Sequence, residues 1–276
     1  MLSRNLSEDD VAAVALFLSG ERLAKVRAIA GSTREAIALH QQMLQLGTSL
    51  MTVTAIIEIA LRNAICDRLS EHFEVPGWLL TPPAPFAWDN LEKVKLGQAV
   101  RSAQRAAYAK MTQAEKHALD VDAFPAGVPS GIGHDDRSNK RQKAISVATG
   151  QVIAQLTLFF WKRLYSEDYQ QRLWRTALKR VFPKKSLKRS DIATQLERIY
   201  QTRNRIAHHE PVYGRRLAET LAAIDFVTAN FGAAAADGKT PIGRLLEAER
   251  AVVEEQATAL EARLAELRTV ETVPLP

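Results

Sequence analysis

The later half of the stretch from Thr33 to Phe73 places Val53, Ile56, Ile57, Ala60, Leu61, Ala64 and Ile65 at three- and four-residue steps. That recurrence returns to one side of an α-helix and does not fit a strand, whose sides alternate every residue. The apolar runs between Gly and Pro clusters are longer than strands usually are, and no strand alternation competes with them, so the spacing predicts an all-α chain. The expected helices run from Ser7, an N-cap, to Leu18, from Glu21 toward Ile29 with Gly31 as a stop, and from Thr33 to Phe73 with a break near Gly47.

Pro76-Gly77 ends the long helix, and Thr81-Pro82-Pro83-Ala84-Pro85 is a stiff connector. A basic helix from Asn90 to about Met111 follows, then a Gly-, Pro-, Ser- and Asp-rich stretch from Phe124 to Arg141 that reads as a long exposed loop. Helical spacing resumes over Ala144 to Leu164, Tyr169 to Val181, Ser190 to His209 and Arg215 to Phe231, with a hinge at Ala233 to Gly238. Beyond the hinge Leu246, Val253, Leu260 and Leu267 recur every seven residues, with Ala257 and Leu264 between them. This narrow stripe suits either packing on its own domain or self-association, and Arg250 interrupts it. The expected division is a helical domain over residues 1–232, with a loop-containing insertion at 76–143, and a C-terminal helix over 233–276.

At 276 residues with 46% apolar and 25% charged side chains, the composition is that of a globular protein rather than a disordered one. A lone cysteine, Cys66, excludes an intrachain disulfide framework and fits a reducing compartment. The N-terminus, Met1-Leu2-Ser3-Arg4 followed by Glu8, Asp9 and Asp10, lacks the apolar run of a signal peptide. The window Val152 to Trp161 reads as the most apolar and is too short to span a bilayer, so a cytoplasmic protein without a membrane partner is expected.

The net charge of +6 is unevenly spread. Between Lys162 and Arg189 lie ten basic residues, Lys162, Arg163, Arg172, Arg175, Lys179, Arg180, Lys184, Lys185, Lys188 and Arg189, against Glu167 and Asp168 alone. A field this local points to an anionic partner, and the first eight of these cations are candidate RNA contacts. Trp161, Tyr165, Tyr169, Trp174 and Phe182 lie among them and suit either stacking on unpaired bases or burial in a core.

The segment with the most chemistry is Arg203-Asn204-Arg205-Ile206-Ala207-His208-His209-Glu210-Pro211. Helical steps put Asn204 and His208 on one face with Arg203 beside them, and Pro211 places the two histidines in the final turn. An imidazole can move the proton of a ribose 2′-hydroxyl or of a leaving oxygen, and a guanidinium can stabilise charge developing on phosphorus oxygens. Such a set would cut RNA without a metal or cofactor. Two other readings remain: a polar cluster that caps the helix end, and a metal site of His208, His209 and Glu210, for which no HExxH spacing exists. An earlier segment, Glu58 to Asn63, carries a Glu58 and Arg62 pair at i,i+4 and could hold the later site from behind. A nucleotide-handling enzyme finds no Walker A sequence, no Rossmann context around Gly131-Ile132-Gly133 and no GxSxG elbow at Ser130.

Five separated segments together resemble the Abi-like (abortive infection) family of the HEPN superfamily: Phe17-Leu18 with Glu21-Arg22, Glu58 to Ile65, Val152 to Trp161, Leu173-Trp174, and Arg203 to Pro211. The resemblance covers about residues 15 to 230 and departs at Leu158-Phe159-Phe160, where the family commonly has a Gly. It implies a HEPN-like helical bundle, usually a homodimer, and a metal-independent endoribonuclease of phage defence or a toxin–antitoxin system. On that resemblance Arg203, Asn204 and His208 are catalytic, with Glu58, Arg62, Asn63, His209 and Glu210 supporting them. RNA and an antitoxin, protein or small RNA, are the implied partners. The alternative is a non-catalytic HEPN module that binds RNA or a partner protein.

Overall fold

The structure is a computed structural model that describes residues 5–270, with side chains to 268. The first four residues and the last six therefore lie outside the described part. Every regular element described is helical, and no strand occurs among the described residues.

Helix α1 (Glu8–Phe17) starts as its sequence predicts. The Ser7 hydroxyl accepts from the Asp10 amide at 3.1 Å and the Asp10 carboxylate accepts from the Ser7 amide at 3.0 Å, a reciprocal cap. Helix α2 (Gly20–Ala30) ends at Gly31, whose φ of 72° is left-handed and favours glycine. Helix α3 (Thr33–Phe73) is continuous for 41 residues, so the expected break at Gly47 does not occur. Gly47 is buried within the helix, and a β-carbon there would meet Ile206 at 3.6 Å, an ordinary contact distance, so the position is a packing contact rather than a bend.

Helix α4 (Asn90–Lys110) matches its sequence reading, and α5 (Gln113–Ala118) and α6 (Asp120–Ala123) follow. The expected loop from Phe124 to Arg141 is a loop only in its first part, because α7 (His134–Ala144) occupies the rest. That helix carries almost no apolar pattern. It is fastened by Asp120, which accepts from Arg141 at 2.7 and 2.6 Å and from Arg137 at 3.2 Å. These guanidiniums, Arg141 first, hold the Asp120 carboxyl far below the usual carboxylate range.

The single helix expected over Ala144 to Leu164 is instead α8 (Thr149–Ile153) and α9 (Leu158–Arg163). Leu156 and Leu158 are both buried while Thr157 between them is exposed, and residues two apart point to nearly opposite sides of a continuous helix. Tyr169 to Val181 likewise forms 3-10 and π turns rather than one α-helix. Tyr169 and Trp174, five apart, are both buried, and the wider π turn over Gln170–Trp174 carries them toward a common side. The chain continues through α10 (Arg189–Ala207), α11 (Gly214–Asn230), α12 (Pro241–Leu245) and α13 (Glu247–Val270).

Two compact units result. The first is Met1–Leu61 with Arg180–Pro276, the second Arg62–Lys179, so α3 contributes to both. This partition differs from the one expected at residue 232, because the C-terminal helix is part of the first unit. Leu246, Val253, Ala257, Leu260 and Leu264 are buried, so the stripe offered for self-association is consumed within the chain. Polar grips add to it: Arg263 donates to Glu35 at 2.5 Å, and Glu261 accepts the Gly214 amide at the start of α11 at 3.1 Å. In the second unit an aromatic core links Phe73, Phe86, Trp88 and Phe160 through ring contacts of 5.0 to 5.7 Å.

Among the described residues α3, rather than the window at Val152, is the helix long and apolar enough to cross a membrane by length and composition. Within the first unit its Ile37, Leu46, Leu50, Val53, Ile57 and Leu61 are buried in protein.

Candidate active site

Helix α10 is amphipathic, with Ile192, Leu196, Ile199 and Ile206 buried at helical steps. It packs along α11, and a buried hydroxyl pair fixes the register: Thr202 and Thr220 oxygens lie 2.7 Å apart. Thr220 donates its proton to the Arg216 carbonyl at 2.8 Å, so its oxygen is left to accept from Thr202. At the other side Ile206 closes on Gly47 of α3. Arg203 and Asn204 are thereby held on the rim of a packed helix, both half-buried.

Glu58 of α3 faces this rim. Its carboxylate lies 3.8 Å from the Arg203 Nε, with side-chain exposures of 16% for Glu58 and 32% for Arg203. The carboxylate thus orients the guanidinium without enclosing it, which leaves part of the cation facing solvent. Sequence spacing suggested Arg62 as the partner of Glu58; the contact described is with Arg203. Arg62 donates to Asn63 at 3.3 Å, and both belong to the second unit.

The end of α10 departs from the expectation that both histidines occupy the final turn. The helix stops at Ala207, His208 is its C-cap, and His209 lies beyond it with φ of 56°. The His209 amide donates to Ile206 O at 2.9 Å and the Glu210 amide donates to Arg205 O at 2.8 Å. This is a Schellman closure with histidine where glycine is usual. The apolar contact that commonly accompanies it is replaced by an ion pair, Arg205 to Glu210 at 2.9 Å. Pro211 cannot continue the helix, and Val212, buried, anchors the chain after the bend. His208 and His209 are consequently both exposed at a rigid corner. Sequence reasoning gave Arg205 no role; its signal is the acid five residues on, directly before a proline.

The site is therefore an exposed imidazole, His208, following a half-buried amide, Asn204, and a carboxylate-oriented guanidinium, Arg203. None of the three is sealed in the interior. As a metal centre the corner is poorly suited: Glu210 is engaged by Arg205, and among the described residues no group of three or more His, Cys, Asp or Glu is placed to hold an ion. Cys66 offers no nucleophile, because burial pushes its thiol up to about 12.

The candidate RNA contacts separate into distinct environments. In the second unit Arg163 donates to Glu92 and Asp168, both at 3.0 Å, and Arg172 donates to Asp89 at 2.7 Å and to the Ala87 carbonyl at 3.1 Å. These two arginines are structural cross-links, which lowers the charge they present. Lys162 lies over the Phe159 ring at 5.0 Å. Arg175 and Lys179 are exposed in the second unit, and Arg180, Lys184 and Lys185 are exposed in the first. The neighbouring aromatics do not stack on bases: Trp161, Tyr165, Tyr169, Trp174 and Phe182 are all buried.

Comparison with family models, curated proteins and solved structures finds no match to the chain.

Proposed function

We propose that the chain is a metal-independent endoribonuclease of the HEPN type, Abi-like in its motif, serving phage defence or a toxin–antitoxin pair. The observation that carries this reading is the exposed His208 at a rigid corner, five residues from a guanidinium that Glu58 orients and leaves partly open. In the reaction a ribose 2′-oxygen attacks the adjacent phosphorus, the P–O5′ bond breaks, the 2′-hydroxyl proton passes to a base and the 5′-oxygen takes up a proton. His208 serves one of these transfers, Arg203 stabilises the charge on the non-bridging oxygens, and Asn204 positions the groups. The products are a 2′,3′-cyclic phosphate and a 5′-hydroxyl. A homodimer would bring a second imidazole for the other transfer, which answers the separation of Arg203 and His208 around one helix.

The test is incubation of the protein with single-stranded RNA in EDTA. Cyclic-phosphate ends are expected, and His208→Ala should abolish cleavage with an unchanged melting temperature, as the side chain is exposed. Cleavage that persists in the variant refutes the catalytic assignment. The Arg203–Glu58 pair also favours a second reading, a non-catalytic module that binds RNA or a partner protein through a polar rim; it predicts RNA binding with no cut at any concentration of protein.

A further inference from the structure

Three cavities differ in what their cations face. The first, about 390 Å³ in the first unit, is lined by Arg250 and Lys239, but Arg250 pairs with Asp225 and Glu254 and Lys239 pairs with Glu247. The second, about 430 Å³ in the second unit, has Arg172 in its wall, already bound to Asp89. The third, about 200 Å³ and also in the second unit, lies between α4 and the chain joining α8 to α9. Its polar lining is Lys95, Gln98, Ser102, Gln155 and Thr157, its aromatic wall is Phe159, and no carboxylate contributes to it among the described residues.

The electrostatics of this third cavity favour an anion. Lys95 Nζ lies 5.4 Å and Lys162 Nζ 5.0 Å from the centroid of the same Phe159 ring. The ring's negative face attracts both ammoniums, and at the cavity Lys95 brings a positive charge that no carboxylate of the lining offsets, so a negative charge is favoured beside it. Glu92, the one acid of α4, is buried and engaged by Arg163 at 3.0 Å, so it does not supply that charge to the cavity mouth. Lys95 is itself steadied by donating to Gln98 at 3.3 Å. Hydroxyls of Ser102 and Thr157 and amides of Gln98 and Gln155 add neutral donors around it. A tetrahedral oxyanion, the size of a few waters at ~30 Å³ each, fits the volume.

We propose that this pocket is a phosphate site that takes the phosphate group of a ribonucleotide, free or within an RNA strand, with Lys95 as its principal cation. It stands on residues of the second unit alone and does not require that Arg203 and His208 be catalytic.

Calorimetric titration of the full chain with three probes tests it: inorganic phosphate, adenosine 5′-monophosphate, and a single-stranded hexamer whose 2′-O-methyl sugars prevent cleavage. Saturable binding is expected in at least one arm, weakened about tenfold or more by Lys95→Glu and kept by Lys95→Arg. Loss with the two small probes assigns a free nucleotide, and loss with the hexamer alone assigns a strand phosphate. Should Lys95→Glu fail to fold by circular dichroism, Lys95→Gln gives the same reading. The proposal is overturned if no arm binds saturably or if removing the Lys95 charge leaves every affinity unchanged. Because the hexamer is uncleavable, a negative result here leaves the cleavage assay with His208→Ala unaffected, and the reverse holds.

Discussion

At the scale of single residues, His209 holds a left-handed backbone that costs a side chain with a β-carbon about 1 kcal/mol relative to glycine. Strain kept at a site of exposed polar groups commonly has a use, and here the use is to turn the chain sharply after His208. His209→Gly should therefore raise the melting temperature by relieving about 1 kcal/mol, while leaving the corner in place. An unchanged or lowered melting temperature would mean that the imidazole makes compensating contacts. The Arg203 to Pro211 segment was legible as a polar helix end because its residue types and proline are local signals. The left-handed turn was not legible, since nothing marks a histidine for that conformation until the Glu210 and Arg205 pairing is seen. Nor was the Glu58 contact with Arg203, because 144 intervening residues separate them and only tertiary packing joins them.

Among the elements, α3 and α10 meet at Gly47, where the nearest side-chain atom would stand 3.6 Å from an added β-carbon, an ordinary contact distance. A mid-helix glycine is about 1 kcal/mol worse than alanine, so Gly47→Ala should stabilise the protein by a similar amount in urea titration. Destabilisation would show that α10 cannot tolerate even a methyl there. The same comparison explains which elements the sequence revealed. Apolar periodicity, with serine caps at α1 to α3, defines α1 to α4 and α10 to α11 to within two residues. Helix α7 escaped because its sequence, HDDRSNKRQKA, has no apolar face to read, and its place depends on Asp120 gripping Arg137 and Arg141. The breaks around Leu156 escaped for the opposite reason: the run is so apolar that periodicity cannot say which residues face inward.

For the molecule as a whole, two consequences are measurable. His40 is buried with its Nδ1 lacking a hydrogen-bond partner among the described residues, and burial first, then the Arg22 charge, hold its imidazole below the ordinary 6.5. The unfolded chain then binds more protons than the folded one, so stability is complete above about 6.5 and falls as the pH drops through it. Urea midpoints measured from pH 7.5 to 5 should decline, and His40→Leu should flatten that decline; parallel curves for the two proteins would remove His40 as the cause. Truncation after Gly232 should cost the first unit its buried Leu246, Val253, Leu260 and Leu264 and leave a protein that melts well below the parent or aggregates. A truncated chain as stable as the full one would restore the view of residues 233–276 as a separate appendage.

The interleaved first unit also sets an order on synthesis. Residues 62–179 are contiguous and can complete their unit as they leave the ribosome, whereas residues 5–61 must wait for partners encoded more than a hundred codons later. Glu58 emerges early and Arg203 late, so the contact between them exists only in a nearly finished polypeptide, and a chain that stalls midway carries no assembled site.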